Sequence, residues 1–156
     1  AVDRLGCRPD AEAIVSGPGI ARIFQYVAGT EDSAGSDDAV RRIQDSPEDD
    51  RPRLISEAAD ESPTCKRVMD LFVRTYGRFA GNMALTFLPE AALYLAGVIL
   101  TKNERFFLEA SRFMSAFTLH PNAKMRRLLR RIPIYVIRDY TVSLYGAANA
   151  ARSLLD

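Results

Sequence analysis

Residues 12 to 29 read EAIVSGPGIARIFQYVAG, and the Ser16-Gly17-Pro18-Gly19 run inside it supports three chemistries. Backbone N–H groups beside glycines can cradle a phosphate. A loop without side chains can let a sugar approach, or the serine can simply cap a helix that carries proline in its first turn. The local residues leave all three open. Other reactive side chains are sparse. His120 is the single histidine and stands beside Pro121 in an expected loop; Cys7 and Cys65 lie far apart with no Cys-x-x-Cys spacing. Neither a disulfide framework nor a metal site is therefore expected. Carboxylates are many, and nothing local singles out a general base. Lys124, Arg126, Arg127, Arg130 and Arg131 crowd one short segment without interleaved aromatics or a helix-turn-helix pattern, so a solvated basic helix is expected rather than a nucleic-acid site.

These residues must be held by a fold, and composition bounds it. A chain of 156 residues with 47% hydrophobic content has enough apolar material for one soluble domain, residues 1–156, with a real core. With 21 basic against 20 acidic residues, no global field recommends nucleic acid or an anionic membrane as a partner. The most apolar window, from Met83 to Leu100, is interrupted by Pro89 and Glu90, so no membrane span is expected. No basic stretch followed by an apolar run marks a signal peptide, and a reducing cytoplasm is the expected compartment.

Asp10 to Val15 reads as a short helical segment, followed by a helix over about Pro18 to Ala28 with Ile20, Ile23, Phe24 and Val27 on one face and Gly29 as its stop. Residues 30–62 are acidic and broken by prolines. They predict a peripheral excursion with short helices over about Asp37–Gln44 and Pro52–Asp60, joined by a mobile turn. The longest element covers residues 63–87, where Val68, Met69, Phe72, Tyr76, Phe79, Met83 and Phe87 recur at helical spacing. Gly77 and Gly81 stand one turn apart on it, and predict close internal packing rather than a membrane dimer. AALYLAGVIL (91–100) predicts a buried strand ending near Gly97. An amphipathic helix over 101–118, a basic helix, a second strand in IPIYVI (132–137) and a terminal helix complete the order. Strands separated by helices imply parallel pairing through crossovers. The fold class expected is α/β, predominantly helical, with two short parallel strands that want further strands beside them.

AEAIVSGPGI, then YGRFAGNMALTF, LYLAGVIL and RIPIYVIRDYTVSLYGAANAA, in that order, resemble the C-terminal half of the bacterial glucokinase family. The resemblance covers nearly the whole chain, more loosely across residues 30–63. It implies a hexokinase-like, actin-type ATPase (ribonuclease H-like) domain, glucose or a related hexose as substrate, ATP and magnesium as cofactors in the full-length family, and a homodimer. Glu12 falls at the position that contacts sugar hydroxyls in that family. A carboxylate can accept two such bonds, and Ser16 and Gly17 would then shape a sugar-site loop. Gly97 and Gly146 fall at the nucleotide wall.

Four family motifs have no counterpart in the chain: the phosphate loop Asp-x-Gly-Gly-Thr-Asn-x-Arg, the Asn-Asp pair that supplies the base, the Gly-Thr-Gly loop and Glu-Gly-Gly-His. No catalytic residue is therefore assigned, and the polypeptide alone is expected to be inactive. Three departures fall on the adenosine side. Ala96-Gly97-Val98 replaces Ala-Gly-Gly, and Val98 is expected to resist positive φ and obstruct backbone approach. Val142-Ser143-Leu144-Tyr145-Gly146 replaces a Pro-Gly turn, and LPEAAL (88–93) replaces a glycine-rich run. These changes set the adenosine side against nucleotide binding. They also leave a second expectation, a degenerate non-catalytic module for binding or oligomerisation.

Overall fold

A computed structural model describes residues 10–30, 37–139 and 141–154, so Cys7 and the start of the acidic excursion lie outside the described residues. The elements are α1 (Gly17–Thr30), α2 (Asp38–Gln44), α3 (Arg51–Glu57), α4 (Pro63–Phe87), β1 (Leu93–Ala96), α5 (Val98–Lys102), α6 (Glu104–Leu108), α7 (Arg112–Phe117), α8 (Ala123–Leu129), β2 (Ile134–Ile137) and α9 (Val142–Ser153). β1 and β2 pair in parallel, with Leu93 opposite Ile134 and Ala96 opposite Ile137, and four helices cross between them. The parallel pairing and the helical majority agree with the sequence reading.

α4 is the spine. Ser62 caps it by accepting the Cys65 N–H at 3.1 Å, and Pro63 occupies the first position, where its missing donor costs nothing. α1 lays Ile20, Ile23, Phe24 and Val27 against it, all buried as their spacing predicts. In the first half of α4 the expected Val68, Met69 and Phe72 are buried, together with Thr64, Cys65 and Val73. Beyond Phe72 the contact stripe departs from the large-residue pattern. Gly77, Ala80, Gly81 and Ala84 are buried, while Phe87 is exposed. The reason is α7, whose backbone lies so near that a Cβ on Gly77 would stand 2.6 Å from Phe113 O, and one on Gly81 2.4 Å from Phe117 O. The close approach read from the glycine spacing is thus internal. It continues a chain of ring contacts in which Phe72 meets Tyr76 and Phe107, both of these meet Phe113, and Phe113 stacks on Phe117.

Several boundaries differ from expectation. Residues 12–14 form a turn rather than helix, closed by the Ala13 N–H donating to Asp10 Oδ1 at 2.8 Å; a segment this short ahead of a capping serine cannot offset helix nucleation. α1 runs past Gly29 to Thr30, whose hydroxyl donates to the Tyr26 and Val27 carbonyls. The strand expected over 91–100 occupies only Leu93–Ala96, and Val98–Lys102 turns helical so that Leu100 enters the core. An apolar run this short does not reveal its period. The strand is buried on one face only: Leu95 is inside, whereas Tyr94 stacks on Tyr135 at 5.6 Å on an open face. The helix expected over 101–118 is broken at Asn103 and again at Ser111, which has φ 55°. Both breaks let Phe106 and Phe107 reach the core from a different angle than Phe113 and Phe117.

The acid-rich segment is anchored from within. Val40, Ile43, Ile55 and Ala59 are buried, while Glu48, Asp49 and Asp50 stay in solvent. Asp37 joins this segment to the spine: its carboxylate accepts the Ala39 and Val40 N–H groups at the start of α2 and the Ser62 hydroxyl at 2.5 Å. Burial pushes the Asp37 carboxyl up, but the hydrogen bonds from Ser62, Val40, Ala39 and Thr64 together outweigh it and hold the group below its ordinary 3.8. A depressed folded value means stability that is present above the unfolded pKa and lost as pH falls through the folded one. Asp37→Asn, which keeps a good cap but cannot titrate, is expected to flatten part of the acid limb of Tm against pH below about pH 4. An unchanged acid limb would show that Asp37 contributes nothing to it.

Candidate functional site

The N-terminus of α1 separates two hollows. Ser16 caps the helix by accepting the Gly19 N–H at 3.1 Å, as the sequence suggests, and the Ser16 carbonyl accepts the first helical bond from Ile20. On one side lies a hollow of about 260 Å³, lined by Asp10, Glu12, Ala13, Ser16, Pro18 and Arg22. On the other lies a cleft of about 930 Å³ whose walls include Gly17, Pro18, Val98, Ile99, Lys102 and Asn103. Pro18 and Arg22 line both. Arg22 spans the ridge between them and donates to the Ala13 carbonyl at 2.9 Å, pinning the Glu12 turn to the helix.

Within the smaller hollow Glu12 is exposed and has no ion-pair partner within 4 Å among the described residues, so both its oxygens are free to accept hydroxyls. The Ser16 oxygen is occupied as a cap, and its O–H remains a donor. Asp10 and Glu12 set two carboxylates in the lining of the hollow beside the Arg22 side chain.

The larger cleft has an apolar throat. Gly17 faces Ile99, and a Cβ on Gly17 would meet Ile99 Cδ1 at an ordinary 3.7 Å. Gly97, directly before Val98, has φ 136°, a conformation that favours glycine, and space stands open where its side chain would be. The expectation for Val98 is thereby corrected. The positive φ falls on Gly97, and Val98 takes ordinary helical geometry as the first residue of α5, half exposed at the cleft wall. The backbone constraint and the valine occupy adjacent but different residues. Leu88 does carry backbone strain: it closes α4 in the left-handed region at φ 46°, a cost of about 1 kcal/mol for a residue with a Cβ.

Glu12, Ser16 and Gly17 are thus brought to the two sides of one helix start, whereas Gly97 precedes the cleft-lining Val98 without lining the cleft itself. Gly146 is not among them: it lies in α9, exposed, lines neither hollow, and no residue of α9 is buried. Sequence reasoning missed Arg22, Lys102 and Asn103. Arg22 left a faint signal, a charge on the flank of an apolar helical stripe. Asn103 left none. It is 6% exposed at the junction of α5 and α6, its Nδ2 donates to Ile99 O at 2.8 Å, and its Oδ1 is buried without a partner. Among the described residues no group of three or more His, Cys, Asp or Glu could hold a metal, and no helix is long and apolar enough to cross a membrane.

The glucokinase family model matches residues 6–154, and the chain belongs to that family. It is 34% identical over 157 aligned residues to a glucokinase of Nostoc punctiforme, covering 94% of this chain and 45% of the relative. It is 33% identical to one of Tolumonas auensis and 30% identical to one of Escherichia fergusonii, covering 93% of this chain and 41% of each relative. The chain therefore spans less than half the length of these relatives.

Proposed function

We propose that this chain is the C-terminal portion of a glucose kinase that supplies the Glu12 sugar contact and one wall of the nucleotide cleft, and that it does not phosphorylate sugar alone. The observation that carries the reading is the α1 N-terminus, which puts the free Glu12 carboxylate and the Gly17–Ile99 throat back to back. In this reading Glu12 accepts two hexose hydroxyls and orients the ring. The larger cleft is the place this reading gives to adenosine: Gly17, Pro18, Val98 and Ile99 offer apolar walls, and Lys102 and Asn103 bring polar groups. ATP supplies the phosphoryl group when bound, with magnesium offsetting its charge. The phosphate loops and the base that takes the hydroxyl proton come from a complementary half, in an actin-like fold in which further strands extend β1 and β2. A cytoplasmic location and a homodimer accompany this reading by family resemblance.

A second reading, a non-catalytic glucokinase-like module, draws on the open Tyr94–Tyr135 face and on α9, neither of which finds burial within this chain. Coupled assay of glucose phosphorylation separates the two. The chain alone is expected to give no activity. Co-expression with the N-terminal portion of the Nostoc punctiforme relative is expected to restore it, and Glu12→Gln is expected to lower it by roughly 10- to 100-fold, the value of a charge-assisted bond. A complex that assembles yet stays inactive, with no thermal protection by glucose, would favour the non-catalytic module.

A further inference from the structure

Away from α1, a groove of about 540 Å³ runs between the end of α4 and the basic segment, lined by Leu88, Pro89, Glu90, Lys124, Arg127, Leu128, Arg131 and Ile132. Its cations differ from several arginines of the molecule that are held in carboxylate pairs. Arg53 pairs with Glu57, Arg105 with Asp60, Arg112 with Asp70 and Arg138 with Glu104. Lys124, Arg127 and Arg131 have no carboxylate within 4.0 Å among the described residues, although Glu90 lies in the same groove. The frame around them is fixed. Asn122 caps α8 by accepting the Lys124 N–H at 2.8 Å, Arg126 ties the preceding loop by donating to the His120 and Pro121 carbonyls, and the Pro133 carbonyl accepts the Leu93 N–H. Leu129 and Ile132 are buried, which anchors this segment against the core.

We propose that this groove is a second ligand site, for a phosphomonoester borne on a polyhydroxylated body: a sugar phosphate. Lys124, Arg127 and Arg131 recur at near-helical spacing along one wall and can converge on a dianion, the arginines through paired N–H donors. Glu90 selects against a ligand that is anionic throughout and in favour of one that also offers hydroxyl donors. Leu88, Leu128 and Ile132 supply apolar surface for the C–H face of a ring. The absence of aromatic side chains from the lining argues against stacked bases, and the volume lies within the range of small-molecule sites. The site is separate from Glu12 and does not depend on the kinase reading.

The test is isothermal titration of the whole chain with glucose 6-phosphate, inorganic phosphate and glucose as separate probes. Glucose 6-phosphate is expected to bind more tightly than inorganic phosphate, and more weakly as salt rises. The exposed double variant Arg127→Ala/Arg131→Ala is expected to lose at least tenfold in affinity. Arg127→Lys, which keeps the charge without the paired donors and spares the fold, is expected to lose less. Glu90→Gln is expected to narrow the preference for glucose 6-phosphate over inorganic phosphate. Equal binding of inorganic phosphate, undiminished binding by Arg127→Ala/Arg131→Ala, or no binding at millimolar ligand would each overturn the proposal.

Discussion

Gly19→Ala is expected to be the most damaging single-methyl change in this chain, lowering stability by about 3 kcal/mol, at or beyond the upper end of ordinary overpacking. The added Cβ would stand 2.0 Å from the Ile14 carbonyl oxygen and 2.4 Å from its carbon, both backbone atoms that no rotamer change can move. Either the turn at residues 12–14 lifts away from α1 or the helix start unwinds. In both cases the Ser16 cap and the Arg22 bond to Ala13 are strained, and Glu12 leaves its place. Urea unfolding should show the lost stability, and glucose protection should weaken with it. Gly17→Ala is the internal control, since its Cβ meets only the flexible end of Ile99 at 3.7 Å and the fold has room for it. Equal stability of the two variants would mean that the turn is not seated on the helix as described.

Gly81→Ala should come second, at roughly 2 kcal/mol, and Gly77→Ala should be of similar size. Within a helix, replacing glycine by alanine ordinarily stabilises by about 1 kcal/mol, because glycine loses more backbone entropy on folding. Here the sign reverses. The new methyl would press on the Phe117 or Phe113 carbonyl of α7 at 2.4 or 2.6 Å, and α7 must retreat from the spine. Retreat would loosen the ring contacts of Phe113 and Phe117, so the loss should appear in thermal melts and in near-ultraviolet circular dichroism together. A rise in Tm for either variant would mean that the helices are farther apart than these distances state.

The large-residue periodicity of α1 and of the first half of α4 was legible because burial there is decided within the helix: the stripe Ile20, Ile23, Phe24, Val27 must face inward wherever the partner comes from. The second half of α4 was less legible. Which of Phe79, Met83 and Phe87 or Gly77, Ala80 and Gly81 faces the core depends on how near α7 comes, and α7 is set by breaks at Asn103 and Ser111 that no residue type announces. The Gly-Val step misled for a related reason. The sequence reading set the positive φ against Val98, and only the backbone path out of β1 shows that Gly97 bears it.

The sequence by itself determined the helical majority, the parallel strand pair, the Ser16 cap and the membership in the glucokinase family, because local hydrogen bonding, side-chain period and motif order are properties of contiguous residues. Only the tertiary structure decided that Glu12 and Val98 stand on opposite sides of one helix start, that Gly146 lines neither hollow, and that Lys124, Arg127 and Arg131 share a groove with Glu90. Those placements join residues far apart along the chain. They are fixed by how closely two backbones can approach, and that distance is a property of both partners that neither segment encodes alone.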